Sequence, residues 1–306
     1  MRVLPGKVKA NHHLAFSPDG QRLVCGGNGR GVAIWDITTS NRPVMALQEG
    51  HGSVVFHFDA NNGRLFVAFA AGIWTRSVDG VESELQFPDG RPTQIGGFAV
   101  TLDGTTAVFS HYHAPDYSGG KFMLARHHLN GDAVGQRVWH ADERYVWEGS
   151  FVFRPGTGEL FGHGGSGCPR TFVTRNPDEP ASFAMHLYEK IPGESVIGWA
   201  LSPDGERIAF TTQNRVRLLD LGTGTETQLP VEPGSVGRAI AFHPGGQLLG
   251  LASGEGVKLL DASTLTEVRA LSWGNGRVRS LAFAPDGMTG ATAGERGWVT
   301  LWDVDI

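Results

Sequence analysis

Apolar stretches a few residues long alternate along this chain with polar turns that end in glycine. One theme recurs: AFSPDGQRLV from Ala15, FDANNGRLFV from Phe58, VTLDGTTAVF from Val100, VFRPGTGELF from Val152, ALSPDGERIAF from Ala200, AFHPGGQLLG from Ala241 and AFAPDGMTGA from Ala282. Proline presets φ, and Asp or Gly permits a tight return, so each stretch predicts two short strands, a and b, joined by a turn. A third strand, c, follows in VAIWDI from Val32, RVRLLDL from Arg215, VKLLDA from Val257 and WVTLWDV from Trp298. A more polar outer strand, d, follows in RPVMALQ, ETQLPV and TEVRALS, as suits a partly solvated edge. The longest run free of Gly and Pro, Val257 to Trp273, contains the turn-like DAST, which leaves no room for long helices.

The last glycines of the turns fall at Gly20, Gly63, Gly104, Gly158, Gly205, Gly246 and Gly287, spaced by 43, 41, 54, 47, 41 and 41 residues. A period of about 44 is that of a four-stranded propeller blade. The final repeat stops after strand c. Arg2-Val3-Leu4, aligned on the next turn, matches Arg269-Ala270-Leu271 in strand d. The expectation is an all-β, seven-bladed β-propeller with four-stranded antiparallel blades, its N-terminal strand completing the last blade. One domain, 1–306, then divides into repeats 12–51, 52–90, 91–145, 146–194, 195–234, 235–275 and 276–306 plus 1–11.

The third strands carry Trp35-Asp36 and Trp302-Asp303, the degenerate pairs Leu219-Asp220 and Leu260-Asp261, and a Gly-His pair stands at Gly50-His51. In these residues the chain resembles the WD-repeat (WD40-type) family of β-propellers. The likeness spans the chain and is strongest in repeats one, five, six and seven. The His, Ser/Thr, Trp and Asp tetrad of that family is complete in no repeat, so blade identity rests on apolar packing and turns. The resemblance implies a partner-binding face built by the d-to-a and b-to-c connections.

Composition agrees with a folded chain: 44 Gly among 306 residues, 40% hydrophobic and 19% charged residues. A net charge of −5, without a basic run, argues against a general nucleic-acid binder. The N-terminus MRVLPGKVKANHH has no apolar core of a signal peptide, and no stretch of about 18 apolar residues occurs, so neither secretion nor membrane insertion is expected. Two cysteines, Cys25 and Cys168, make no disulfide framework and fit a cytoplasmic protein.

Candidate binding residues come from departures from the minimal repeat. Repeats three and four carry extra length: in repeat three it is expected partly in the b-to-c loop HYHAPDYSGG, His111 to Gly120, and partly around the c-to-d and d-to-a segments HHLNGDAVGQRVWHADERYVWEG, and in repeat four the corresponding b-to-c loop is GHGGSGCPR, which ends at Arg170. The first holds Tyr112, His113, Asp116 and Tyr117. His111 and His113 with Asp116 invite a metal, but the spacing matches no zinc signature, so the reading is a polar loop and no metal is assigned. Six residues before the turn prolines stand His12, Arg238 and Arg279, a row that can meet an acidic peptide or the chain's own acids. Tyr145 and Trp147 beside Arg144, and Trp273, sit in connections between blades and are of the types that anchor protein interfaces. Trp35, Trp199, Trp298 and Trp302 are assigned to the core, and His127-His128 to the register of Trp-Asp.

No nucleophile elbow, phosphate loop or reactive Cys-His pair emerges: GGSGC lacks the strand-turn-helix setting, and GGNGRG from Gly26 is a b-to-c turn. No catalytic residue and no cofactor is assigned. The expected function is a non-catalytic protein- or peptide-binding scaffold using one face and the channel mouth. The alternatives are a metal-dependent propeller hydrolase or lactonase and a structural subunit of a larger complex.

Overall fold

A computed structural model describes residues 1–4, 11–27, 32–39, 43–47, 54–59, 63–69, 72–76, 82–84, 95–101, 104–113, 121–130, 133–143, 151–157, 159–164, 168–174, 183–187, 196–232, 234–274 and 276–305. Among the described residues every regular element is a strand, and no helix is long and apolar enough to cross a membrane. The strands form seven four-stranded antiparallel sheets. The chain falls into two compact units, Met1–Glu49 with Ile191–Ile306, and Gly50–Lys190.

The first unit holds four sheets. One is β2 (Asn11–Phe16), β3 (Arg22–Gly27), β4 (Val32–Asp36) and β5 (Pro43–Leu47); a second is β18 (Gly198–Leu201), β19 (Arg207–Thr211), β20 (Arg215–Asp220) and β21 (Glu226–Pro230). The third is β22 (Val236–Phe242), β23 (Leu248–Ser253), β24 (Gly256–Asp261) and β25 (Glu267–Ser272). The fourth takes β26 (Val278–Phe283), β27 (Thr289–Gly294) and β28 (Val299–Asp303) and is completed by β1 (Arg2–Leu4), with Val3 opposite Thr300. Leu4 is fully buried there, and an Arg2 guanidinium N–H donates to the Ile37 carbonyl of the next sheet at 2.9 Å.

Counting along the sequence and pairing in the sheets agree. Asp36 lies opposite Arg22, Asp220 opposite Arg207, Asp261 opposite Leu248 and Asp303 opposite Thr289. Apolar clusters fill the spaces between consecutive sheets. Leu218 and Val216 meet Ile240, Phe242 and Leu249; Leu259 and Val257 meet Leu281 and Trp302; Leu301 and Val299 meet Leu23, Cys25 and Trp35. Such face-to-face burial supplies the main stabilisation, roughly 1.5–3 kcal/mol for each fully buried large side chain. It even holds Leu265 at φ 59°, a left-handed position that the sister turn gives to Gly224, because Leu265 is buried beside Ala262.

The second unit repeats the plan in three sheets. They are β6 (Val55–Phe58) to β9 (Glu82–Glu84) by way of β7 (Leu65–Phe69) and β8 (Gly72–Arg76); β10 (Ile95–Val100) to β13 (Ala133–Glu143) by way of β11 (Thr106–His113) and β12 (Lys121–Asn130); and β14 (Val152–Phe153), β15 (Leu160–Gly164), β16 (Cys168–Thr174) and β17 (Phe183–Leu187). Phe66, Ile73 and Val55 pack on Phe98, Val100 and Phe109 between the first two. His128 pairs with Thr106 and His127 with Ala107, the register of Asp36 and Trp35, and the Thr106 hydroxyl lies 3.5 Å from His128 Nδ1.

Four expectations are corrected. His111, Tyr112 and His113 are not loop: they extend β11 and pair with Met123, Phe122 and Lys121, the backbone ladder running unbroken from Thr106 opposite His128 to the end of the strand. Arg170 likewise is not at the end of a loop: it belongs to β16, opposite Gly162. Of the four tryptophans assigned to the core, Trp35 and Trp302 are 0% and 2% exposed, whereas Trp199 and Trp298 are only partly buried. Trp273, expected as an exposed anchor, stacks on Trp302 at a centroid distance of 5.7 Å and closes that cluster from the side.

Candidate functional site

The row chosen by counting back from the turn prolines has a structural basis. Asn11 pairs with Gly27 and His13 with Gly26, which leaves His12 as an inserted residue in β2. Val278 pairs with Gly294 and Ser280 with Ala293, which leaves Arg279 inserted in β26. In β22 the stretch between Val236, opposite Ser253, and Ile240, opposite Leu251, contains Arg238. β2 and β26 each carry one extra residue there and β22 two, all near the start of a first strand, and β22 lies against β26, and β26 against β2. A bulge bends the strand and re-aims a side chain, so the same local device is repeated at one end of three adjacent sheets. One of the two readings of Arg279 is realised: its guanidinium pairs with the carboxylate of Glu295, in the turn between β27 and β28. Sequence reasoning did not single out Glu295, because only the ladder shows that this turn returns to the bulge.

The second candidate cluster is less fully placed. Tyr112 and His113 lie on β11 and Arg170 on β16. Asp116, Tyr117, Tyr145 and Trp147 lie outside the described residues. Among the described residues no group of three or more His, Cys, Asp or Glu comes together. Cys25 is buried between two sheets, and burial pushes its thiol well up, away from the reactive thiolate. On β6, burial lowers the His57 imidazole to about 4 against an opposing pull from Asp59, so it is neutral at neutral pH.

The aspartates that close the third strands are structural. Asp36 accepts hydrogen bonds from the Thr38 N–H at 2.9 Å, the Thr38 hydroxyl at 2.7 Å and the Thr39 N–H at 3.0 Å. Asp220 does the same with Gly222 and Thr223, and Asp261 with Ser263 and Thr264. Each carboxylate nucleates the turn into strand d, and the pattern Asp followed two or three residues on by Ser or Thr is its sequence signal. These bonds, the Thr38 hydroxyl first, lower Asp36 from 3.8 to about 2, and similar bonds lower Asp220 and Asp261. Because the folded value lies below the unfolded one, the turn contributes its full stability above pH 3.8 and loses it as the pH falls towards 2. Asp36→Asn, which keeps an acceptor oxygen but does not titrate there, is expected to flatten that part of the acid-unfolding profile. Urea midpoints measured across this range check it, and an unchanged slope refutes it.

Compared with known proteins, the sequence pattern of the family described as WD domain, G-beta repeat, matches residues 3–36 and 266–303. The first match runs from β1 through β4, and the second from β25 through β28. No curated protein matches the chain.

Proposed function

Starting from a chain that carries WD repeats at both ends, we propose that its seven sheets are the blades of one seven-bladed propeller, and that this propeller is a non-catalytic scaffold that binds a protein partner. WD repeats generally serve protein–protein contacts, and the family is typically without catalytic activity. The observation that carries the reading is the repeated bulge. In three adjacent sheets the backbone register shifts at the same end of the first strand, at or next to His12, Arg238 and Arg279, on the side where the connections between sheets lie. Repetition of one presentation device suits a surface read by a partner better than a single reaction centre does. The reading places the protein in the cytoplasm, where the buried thiol of Cys25 stays reduced.

The test is capture of a stoichiometric partner by the tagged full chain, followed by native mass spectrometry, with the His12→Ala, Arg238→Ala and Arg279→Ala triple variant beside it. A defined partner retained by the wild type and released by the triple variant supports the reading. Turnover of an ester or lactone by untagged protein with stoichiometric bound metal would sink it in favour of a hydrolase. Recovery only as a constitutive part of a larger assembly replaces transient binding with a structural role.

A further inference from the structure

The edge where the last two sheets of the first unit meet holds an arginine-rich platform that the bulge row does not include. It is made of three chain segments. They are the turn at Gly254-Glu255 between β23 and β24, the residues Trp273, Gly274, Gly276 and Arg277 between β25 and β26, and the turn Glu295–Gly297 between β27 and β28. Backbone hydrogen bonds tie them together: Val278 N–H to the Gly254 carbonyl at 3.0 Å, Trp273 N–H to the Glu255 carbonyl at 3.4 Å and Glu295 N–H to the Arg277 carbonyl at 3.0 Å. A surface held in this way loses little conformational freedom on binding.

Charge on the platform is unbalanced in a specific manner. Glu295 is taken by Arg279. Arg296 makes one long hydrogen bond, 3.4 Å to the Gly274 carbonyl, with its stem laid over Gly276. Arg277 is exposed and, among the described residues, has no ion-pair partner. Two exposed arginines therefore stand on the segments that meet at Trp273, which is itself only partly buried. Glu255 is the remaining carboxylate of the three segments, and it too is exposed and unpaired among the described residues. Arginine and tryptophan are the residues over-represented at interface anchor points, and a guanidinium fork matches a carboxylate in two-pronged fashion.

We infer that this platform docks an acidic, extended segment of a partner protein, whose carboxylates are held by Arg277 and Arg296 while an apolar side chain rests on Trp273. The inference rests on the partner-binding reading but commits to a different face element, the junction of the last two sheets, and to the chemistry of what it holds.

Fluorescence anisotropy of a dye-labelled oligoglutamate peptide with the full chain tests it, together with an oligoglutamine peptide and a single-stranded oligonucleotide. Expected is saturable, salt-sensitive binding of the oligoglutamate alone, weakened about tenfold or more by Arg277→Glu with Arg296→Glu. Arg215→Glu, on β20 in another sheet and with the same charge change, is expected to leave it unaltered. Both arginines of the pair are exposed, so thermal unfolding of the double variant should match the wild type. Equal binding by the double variant, equal loss on Arg215→Glu, preference for the oligonucleotide, or no binding of oligoglutamate overturns the inference. If the captured natural partner is retained by the double variant but lost with the bulge row, the scaffold reading stands and this platform is not its site; loss of no partner by either set sinks both.

Discussion

Alanine at Gly290 is expected to destabilise the protein by about 3–5 kcal/mol, the cost of removing a large aromatic side chain from a core. A methyl group on Gly290 would lie 2.2 Å from Cζ2 of Trp302, 2.4 Å from Cε2 and 2.5 Å from Cη2. The indole sits flat over its cross-strand neighbour and cannot retreat. It is 2% exposed, edge-on to Phe283 at 5.7 Å and tilted against Trp273 at 5.7 Å, with Leu259 and Val257 of the adjoining sheet behind it. Among the described residues its indole N–H is buried without a hydrogen-bond partner, so shape holds it there. The diagnostic is a double variant. Trp302→Leu vacates the space the methyl group needs, so Gly290→Ala made on that background should add little, and the two costs should be far from additive. Urea unfolding of the four proteins checks this, and additive costs would refute the steric account.

Glycine spacing made the sheets legible because each turn needs a residue at positive φ. Gly20, Gly63, Gly104, Gly205, Gly246 and Gly287 have φ between 66° and 76°, while Gly158 lies outside the described residues and Gly156 takes the left-handed position in its turn. The join of β1 to β28 was legible from the same alignment, since Arg2-Val3-Leu4 reads like strand d. What failed to show was strand length in repeats three and four. His111-Tyr112-His113 has loop-like composition, and only the ladder to Phe122 and Lys121 makes it strand. The candidate site was legible by halves for a related reason. Counting located His12 and Arg279 on equivalent bulges, yet Glu295 is brought to Arg279 by a hairpin whose register composition does not encode. Trp273 misled because a connection between strands predicts exposure, and its packing on Trp302 is a tertiary fact.

The second large effect is expected at Gly287, where backbone conformation and a contact between neighbouring turns coincide. Its φ is +74°, which costs an alanine roughly 1–2 kcal/mol. A methyl group there would also stand 2.5 Å from Nε2 of His243, in the turn of the preceding sheet. His243 is fixed at both nitrogens: Nδ1 accepts from the Gly245 N–H at 3.1 Å, so Nε2 carries the proton and donates to the Gly287 carbonyl at 2.9 Å. Gly287→Ala must therefore strain the turn and push the imidazole off its carbonyl, a bond worth about 0.5–1.5 kcal/mol, for a total of about 1.5–3.5 kcal/mol. On a His243→Ala background only the backbone cost should remain, about 1–2 kcal/mol. Equal costs on the two backgrounds would show that the contact between turns is not what constrains the position. The other unit uses the same arrangement with different chemistry. Gly104, at φ +71°, lies so close to the preceding turn that a methyl group would stand 2.5 Å from Oδ2 of Asp59. His243 and Asp59 occupy the position that Ser17 and Ser202 hold in their own turns. A turn that closes on itself through a serine is thus exchanged, in these two repeats, for one that reaches the next sheet, and Gly104→Ala is expected to follow Gly287→Ala in losing most of its contact cost once Asp59 is also alanine.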